Sequence, residues 1–137
     1  MDWKECCTKR LAKEIKVDDN LANSLLKSSE KKIITQERII IDETTASSKI
    51  SLIYEGLREL LEALAIIKGY KIYNHECYAS FLREVLNKPY IADKFDDFRK
   101  IRNLINYYGK DVSSEEAKPI ITGIIELIER IKEEIFD

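Results

Sequence analysis

Apolar residues recur along most of the chain at the spacing of amphipathic α-helices. The clearest case fits the i, i+3, i+4, i+7 pattern, with Ile50, Ile53, Tyr54, Leu57, Leu60, Leu61 and Leu64 on one arc. Gly69 follows where this helix should end. The last segment has a similar stripe of isoleucines, and Ser113 with Glu116 before it has the spacing of a capping box. Two long helices are therefore predicted here.

Capping and helix-breaking residues divide the remaining chain into four further helices. These predicted helices cover residues 1–16, 20–41, 74–87 and 91–108. Asp18 or Asp19 is placed to cap the second of them and Asn74 the third, while Gly109 ends the fourth. The segment "YKIYN" between Gly69 and the third of them is predicted to be a connector, and no strand is predicted.

Five or six helices joined by short connectors predict an all-α fold, namely an antiparallel helical bundle. The chain has 137 residues, which suits one compact domain and is too short for two. We therefore predict a single helical domain over residues 1–137, in which an N-terminal helical extension (residues 1–18) precedes the bundle (residues 20–137).

Composition and charge exclude several classes of protein. The formal net charge is -2, so the whole chain is not a polybasic nucleic-acid binder. The uninterrupted apolar runs are short, which predicts no membrane span, and the N-terminus "MDWKECCTKR" lacks the apolar core of a signal peptide. A cytoplasmic location is the resulting expectation.

The three cysteines, Cys6, Cys7 and Cys77, are not expected to form a structural disulfide. Their odd number and the adjacent pair make a poor disulfide framework and match no zinc spacing, which favours semi-buried thiols in a reducing compartment. His75 and Cys77 are only two ligands, so no metal site and no cofactor are expected.

The stretch "RKIRNLINYYGKD", residues 99–111, carries the candidate chemistry. On a helical wheel Arg102 lies about 40° from Phe98, at the edge of the apolar face. Because burying an unpaired charge is costly, the arginine needs a partner inside the fold, across an oligomer interface or in a ligand. Arginine presents a planar fork that suits carboxylates and phosphates.

The neighbouring polar side chains predict a phosphate or nucleotide site. Asparagine amides offer donors and acceptors, and a tyrosine one turn from Asn103 can stack on a base or donate its hydroxyl. The candidate binding residues are Arg99, Arg102, Asn103, Asn106, Tyr107 and Tyr108. Alternatively, the stripe only fixes the register of a helix pair or a symmetric dimer.

"RKIRNLINYYGKDVSSEEA" resembles the signature of HEPN domains, the higher eukaryotes and prokaryotes nucleotide-binding family. Members carry an arginine, usually a following polar residue, and a histidine four to six residues later in the penultimate helix. The upstream "SSKISLIYEGLRELLEALAIIKGYKIYNHE" is similar to the family's long second helix and the turn after it. The resemblance covers about residues 20–137 and implies a helical fold that often cleaves RNA without metal.

The resemblance places the motif arginine at Arg102 and its polar neighbour at Asn103, but Tyr107 stands where the family's ribonucleases have histidine. Tyrosine side chains titrate at about pH 10, so Tyr107 is expected to be a poor general base at neutral pH. His75, the only histidine, is expected to be a capping or surface residue. Catalysis through Arg102 and Tyr107 is therefore in doubt.

Three functions remain open at this point. The favoured one is a dimeric HEPN-like module whose Arg-Asn-Tyr cleft binds RNA, a nucleotide or a partner protein. The resemblance implies a small nucleotidyltransferase as a possible partner, in a toxin–antitoxin or defence context. The alternatives are a metal-independent endoribonuclease toxin, in which Arg102 stabilises the developing phosphate charge, and a non-catalytic structural bundle.

Overall fold

The computed structural model describes residues 1–136, and six α-helices lie within them, which confirms the predicted all-α bundle of five to six helices. The helices are α1 (Trp3–Thr8), α2 (Asp19–Arg38), α3 (Ala46–Ile67), α4 (His75–Ser80), α5 (Pro89–Tyr108) and α6 (Ser114–Ile135). A π-helical turn, Phe81–Val85, continues α4. Two short strands, β1 (Ala12–Glu14) and β2 (Tyr70–Ile72), form an antiparallel pair.

Helix α3 is the centre of the bundle. It packs against α2, α5 and α6, and β2 also contacts it. The predicted apolar stripe of α3 is buried, and none of its members is more than 1% exposed; these are Ile50, Ile53, Tyr54, Leu57, Leu60, Leu61 and Leu64. Because burial of apolar surface drives folding, this stripe organises the other helices around α3.

The structure confirms predicted caps at helix N-termini and at a helix C-terminus. Asp18 accepts a hydrogen bond from the Leu21 amide (3.0 Å), and Asn74 accepts one from the Glu76 amide (2.8 Å). Ser113 forms the capping box of α6. Gly109 ends α5 with φ of 66°, in the left-handed region that glycine adopts without strain.

The N-terminal region differs from the prediction. The helix predicted over residues 1–16 ends at Thr8, and Arg10 turns the chain with φ of 59°. The chain then forms β1, in which Ala12 pairs with Ile72, so the predicted connector "YKIYN" contains a strand. Three-residue strands that pair across the chain leave too short a pattern for local periodicity to detect.

The expectation of free cysteines is wrong for Cys6 and Cys77, which form a disulfide. Both side chains are fully buried where α1 packs on α4. Within residues 1–136 only Cys7 is a free thiol, and it is exposed. The pairing depends on a contact between segments that lie 71 residues apart, and spacing in the sequence does not reveal such a contact.

The structure also differs from the predicted bounds of two further helices. The helix predicted over residues 74–87 is α-helical only to Ser80 and then continues as the π-helical turn. The helix predicted over residues 91–108 begins two residues earlier, at Pro89, which occupies the first turn of α5, where its missing N–H costs nothing. Within residues 1–136, no helix is long and apolar enough to cross a membrane.

Candidate functional site

One open pocket combines the C-terminal half of α5 with the first turn of α4. Its volume is about 380 Å³, and its lining residues are Tyr73, Asn74, His75, Glu76, Arg99, Arg102, Asn103 and Tyr107. We call it the Arg102 pocket. The α5 residues share one side of the helix because positions three or four apart lie on the same face.

Four of the six predicted binding residues therefore lie in the Arg102 pocket, and two do not. Asn106 accepts a hydrogen bond from the Ser51 hydroxyl (3.1 Å) and lines a neighbouring groove with Leu52. Tyr108 is 79% exposed at the end of α5 and lines neither the pocket nor this groove. The predicted stripe therefore extends beyond the Arg102 pocket, into the groove beside Ser51 and to the end of α5.

The Arg102 side chain is only 13% exposed, yet its guanidinium is incompletely paired. Nη2 donates to Glu55 and Nη1 to the Tyr107 hydroxyl, both at 3.3 Å, while Nε is buried without a hydrogen-bond partner in residues 1–136. The guanidinium carbon lies 5.2 Å from the centre of the Tyr54 ring and 5.4 Å from that of Tyr107. Of the three kinds of partner considered for Arg102, the structure contains one inside the fold, the carboxylate of Glu55.

Glu55 is a shared partner, because it also accepts a hydrogen bond from Nε of Arg58 at 3.1 Å. Arg58 binds Glu62 as well (2.9 Å). Burial raises the pKa of Glu62, but its bonds to Lys71 and Arg58 outweigh burial and the pKa falls below the usual value. One carboxylate at Glu55 therefore faces two guanidinium groups, which favours an anion beside Arg102.

Arg99 and Asn103 form the outer part of the same face. Arg99 binds Asp96 through Nη2 at 2.8 Å. Burial raises the pKa of Asp96, but its bonds to Arg99 and Lys100 lower it further than burial raises it. Asn103 is half-buried and lines the pocket, so its amide can donate to or accept from a ligand there.

His75 lines the pocket as a half-buried residue, so it is neither the cap of α4 nor a fully exposed side chain. It is the first residue of α4, whose cap is Asn74. Its Nδ1 lies 3.0 Å from the hydroxyl of Tyr54, a fully buried residue of α3. The only sequence signal was the phenol of Tyr54 within an apolar stripe, because a buried hydroxyl requires a partner.

The local environment keeps His75 uncharged at neutral pH. Burial, followed by the charges of Arg102 and Arg58, lowers the pKa of His75 from 6.5 to about 4. Burial also raises the pKa of Tyr54 well above its usual value, so the phenol stays protonated. The positive charge of the pocket therefore comes from its arginines.

Comparisons with known proteins leave the family open. No protein-family model matches the chain, and neither a curated protein nor a solved structure matches it. Among residues 1–136, no cluster of three or more histidine, cysteine or acidic side chains has the arrangement to hold a metal ion. The HEPN resemblance stays a prediction.

Proposed function

We propose that this protein is a HEPN-like module that binds nucleotides, presented as single-stranded RNA, in the Arg102 pocket. The phosphate would occupy the space beside Arg102 and Asn103, and a base would lie at the rim. A free nucleotide offers the same phosphate and base as RNA and is therefore the second possible ligand.

The guanidinium of Arg102 carries the proposal. A guanidinium has five N–H donors, and those of Arg102 make only two long contacts within residues 1–136. A phosphate oxygen would supply the missing acceptor in a charge-assisted hydrogen bond. Because Arg58 competes for Glu55, the added anion would also reduce the repulsion between the two arginines.

Two exposed aromatic rings at the rim favour a ligand with bases. Tyr73 is 54% exposed and Tyr107 is 68% exposed, and both line the pocket. Stacking on an aromatic side chain contributes about 1–3 kcal/mol per base and tolerates any base sequence. Tyr73 precedes α4 and Tyr107 ends α5, so the rings border the pocket from different elements.

Fluorescence anisotropy with a labelled oligouridine RNA, beside calorimetry with uridine monophosphate, tests the proposal. Arg102→Ala should weaken RNA binding about tenfold or more, because a charge-assisted hydrogen bond is lost. Arg83→Ala is the matched control, since Arg83 pairs with Asp93 and does not line the pocket. Equal affinities for the two variants would contradict the proposal.

The rim has its own matched pair of variants. Tyr73→Ala should weaken RNA binding about tenfold through lost stacking. Tyr90→Ala removes an equally exposed ring outside the pocket, 51% exposed, and should leave binding unchanged. If the monophosphate binds as tightly as the RNA, the ligand is a free nucleotide.

A metal-independent endoribonuclease is the second candidate, and the incompletely paired guanidinium of Arg102 favours it, because it could stabilise the charge that develops on a scissile phosphate. Incubating RNA with wild type and Arg102→Ala in excess chelator tests this candidate. Equal and negligible cleavage by both would remove it.

The structural alternative rests on the pair of Arg102 and Glu55, which joins α5 to α3. If wild type binds neither RNA nor nucleotide while Arg102→Ala loses thermal stability or changes its oligomeric state, the arginine is a packing residue. Retained mass and stability with lost RNA binding would instead favour the ligand site.

We further propose a homodimer formed through the exposed end of α5. Leu104 is 43% exposed on α5 and follows Asn103, a residue of the pocket. A two-fold axis there would bring two Arg102 side chains together, which is unfavourable unless an anion joins them. Sedimentation equilibrium of wild type, beside Leu104→Glu and the control Ile67→Glu, measures the mass; only Leu104→Glu should be monomeric.

The cellular context of this proposal comes from the resemblance alone. A minimal nucleotidyltransferase partner and a toxin–antitoxin role follow from it, and a nucleotidyltransferase reading frame next to the gene would support both. The cytoplasmic location expected from the sequence is in conflict with the disulfide. The bond between Cys6 and Cys77 counts against a reducing compartment, because such compartments keep most thiols reduced.

A further inference from the structure

We infer that Tyr54 fixes the hydrogen of His75 on Nε2, so that His75 is a neutral hydrogen-bond donor that contacts a phosphate oxygen of the ligand beside Arg102. The contact with phosphate rests on the proposed function. The position of the hydrogen on the ring does not, because it follows from the interior contact alone.

The interior contact joins the Tyr54 hydroxyl and Nδ1 of His75 at 3.0 Å. Tyr54 is 0% exposed, so water does not reach its side chain. Within residues 1–136, the hydroxyl of Tyr54 has no other hydrogen-bond partner. The single phenolic hydrogen of Tyr54 therefore has one available acceptor, which is Nδ1 of His75.

This geometry selects one of the two neutral forms of imidazole. If Nδ1 carried the hydrogen, it would donate to the phenol oxygen, and the phenolic hydrogen would be buried without an acceptor. An unsatisfied buried donor costs about 1–3 kcal/mol. If Nε2 carries the hydrogen, Tyr54 donates to Nδ1 and every polar hydrogen of the pair is satisfied.

The charges around the ring agree with a neutral donor. Arg102 and Arg99 of α5 and Arg58 of α3 oppose protonation of His75, whereas Glu55 favours it. Glu76 is a second carboxylate in the lining of the pocket. Burial acts in the same direction as the arginines and lowers the pKa of His75. A neutral imidazole N–H can still bind developing or permanent negative charge, as it does in some enzymes.

The N–H at Nε2 is then the available donor of the ring. Nε2 has no hydrogen-bond partner within residues 1–136, and His75 lines the pocket with Arg102 and Asn103. A phosphate diester has two non-bridging oxygens, which can accept from a guanidinium and an imidazole at once. In this form Nε2 has no free lone pair, so His75 cannot accept a proton from a ribose hydroxyl.

Nitrogen NMR of the labelled protein tests the position of the hydrogen without any ligand. His75 is the only histidine of the chain, so its two ring nitrogens need no further assignment. At neutral pH the long-range proton–nitrogen spectrum should show Nε2 protonated and Nδ1 unprotonated. Tyr54→Phe should move both nitrogen signals towards the average of the two forms. Protonation at Nδ1 in wild type would overturn the inference.

The second measurement adds the oligouridine RNA to the same sample. The Nε2–H signal should shift as RNA binds, and His75→Leu should weaken RNA binding about tenfold through the lost hydrogen bond. His75→Gln keeps an N–H donor near that position and should recover part of the affinity. RNA that binds normally without moving the Nε2 signal would overturn the contact, while absence of RNA binding would overturn the proposed function and leave the ring-hydrogen result standing.

Discussion

Glu55 serves both Arg58 and Arg102, and this sharing controls the charge of the pocket. Arg58 also binds Glu62, but Glu62 is shared with Lys71, so two carboxylates face three cations and leave positive charge uncompensated. The excess positive charge acts on His75, whose neutral form is favoured. At the scale of single residues, the pocket therefore combines one poorly paired cation with one neutral imidazole.

Protonation of His75 should destabilise the fold as the pH falls from 7 to 5. The folded protein holds the pKa of His75 at about 4, below 6.5, so the unfolded chain binds more protons between these values. The contribution of neutral His75 to the free energy of unfolding is fully present above about pH 6.5 and is lost as the pH falls towards about 4. Because His75 is partly exposed, the loss by pH 5 should be on the order of 1 kcal/mol after solvent screening.

Thermal unfolding of wild type and His75→Gln at both pH values measures this loss. The wild type should lose about 3 °C more in Tm than the variant. The carboxylates of Glu62 and Asp96 have lowered pKa values and remain in both proteins, so their contribution is common to the two. Identical pH dependence of Tm in the two proteins would contradict the lowered pKa of His75.

At the scale of elements, local pattern predicted the long helices because their signals lie within a few turns. The stripe of α3 and the capping box of α6 are such signals, and both are confirmed. Strands β1 and β2 escaped prediction because each has three residues and pairs with a distant segment. The π-helical turn Phe81–Val85 also lacks a distinct local signature.

The same reasoning explains which part of the candidate site was predictable. Arg99, Arg102, Asn103 and Tyr107 share one helix face, so the sequence alone placed them together. His75 and Glu55 join them only after α3 and α4 pack on α5. That packing is a tertiary contact, and the positions of these residues in the sequence do not reveal it.

The end of α2 depends on a buried lysine in α3, which also explains why α2 ends at Arg38 instead of residue 41. Lys49 is 8% exposed, and its Nζ donates to the carbonyls of Gln36 and Ile39, each at 2.6 Å. A cation at a helix C-terminus satisfies the last carbonyl groups and complements the helix dipole.

Lys49→Met should therefore destabilise the protein by about 1–3 kcal/mol, because two carbonyl groups lose their donor inside the fold. Lys118→Met is the matched control, since Lys118 is exposed on α6. Urea unfolding gives both free energies, and hydrogen exchange should show faster exchange at the end of α2 only in Lys49→Met. Equal free energies for the two variants would contradict the capping role of Lys49.

At the scale of the whole molecule, the N-terminal segment is fastened to the wall of the pocket. Besides the disulfide, the N-terminal amine binds Glu76 (3.4 Å), and the Met1 carbonyl accepts from Ser80 (2.5 Å). Glu76 lines the pocket one residue before Cys77. Residues 1–8 are thus attached to α4, the helix that begins at His75.

Removing the disulfide should lower global stability much more than removing the free thiol. The bond between Cys6 and Cys77 spans 71 residues, and restricting a loop of this length in the unfolded chain stabilises the fold by about 4 kcal/mol in the chain-entropy description. Cys77→Ser should therefore lower the free energy of unfolding by about 2–4 kcal/mol, and Cys7→Ser by less than about 0.5 kcal/mol. Alkylation in denaturant without reductant should modify one thiol of wild type, at Cys7, and modification of all three cysteines would contradict the pairing.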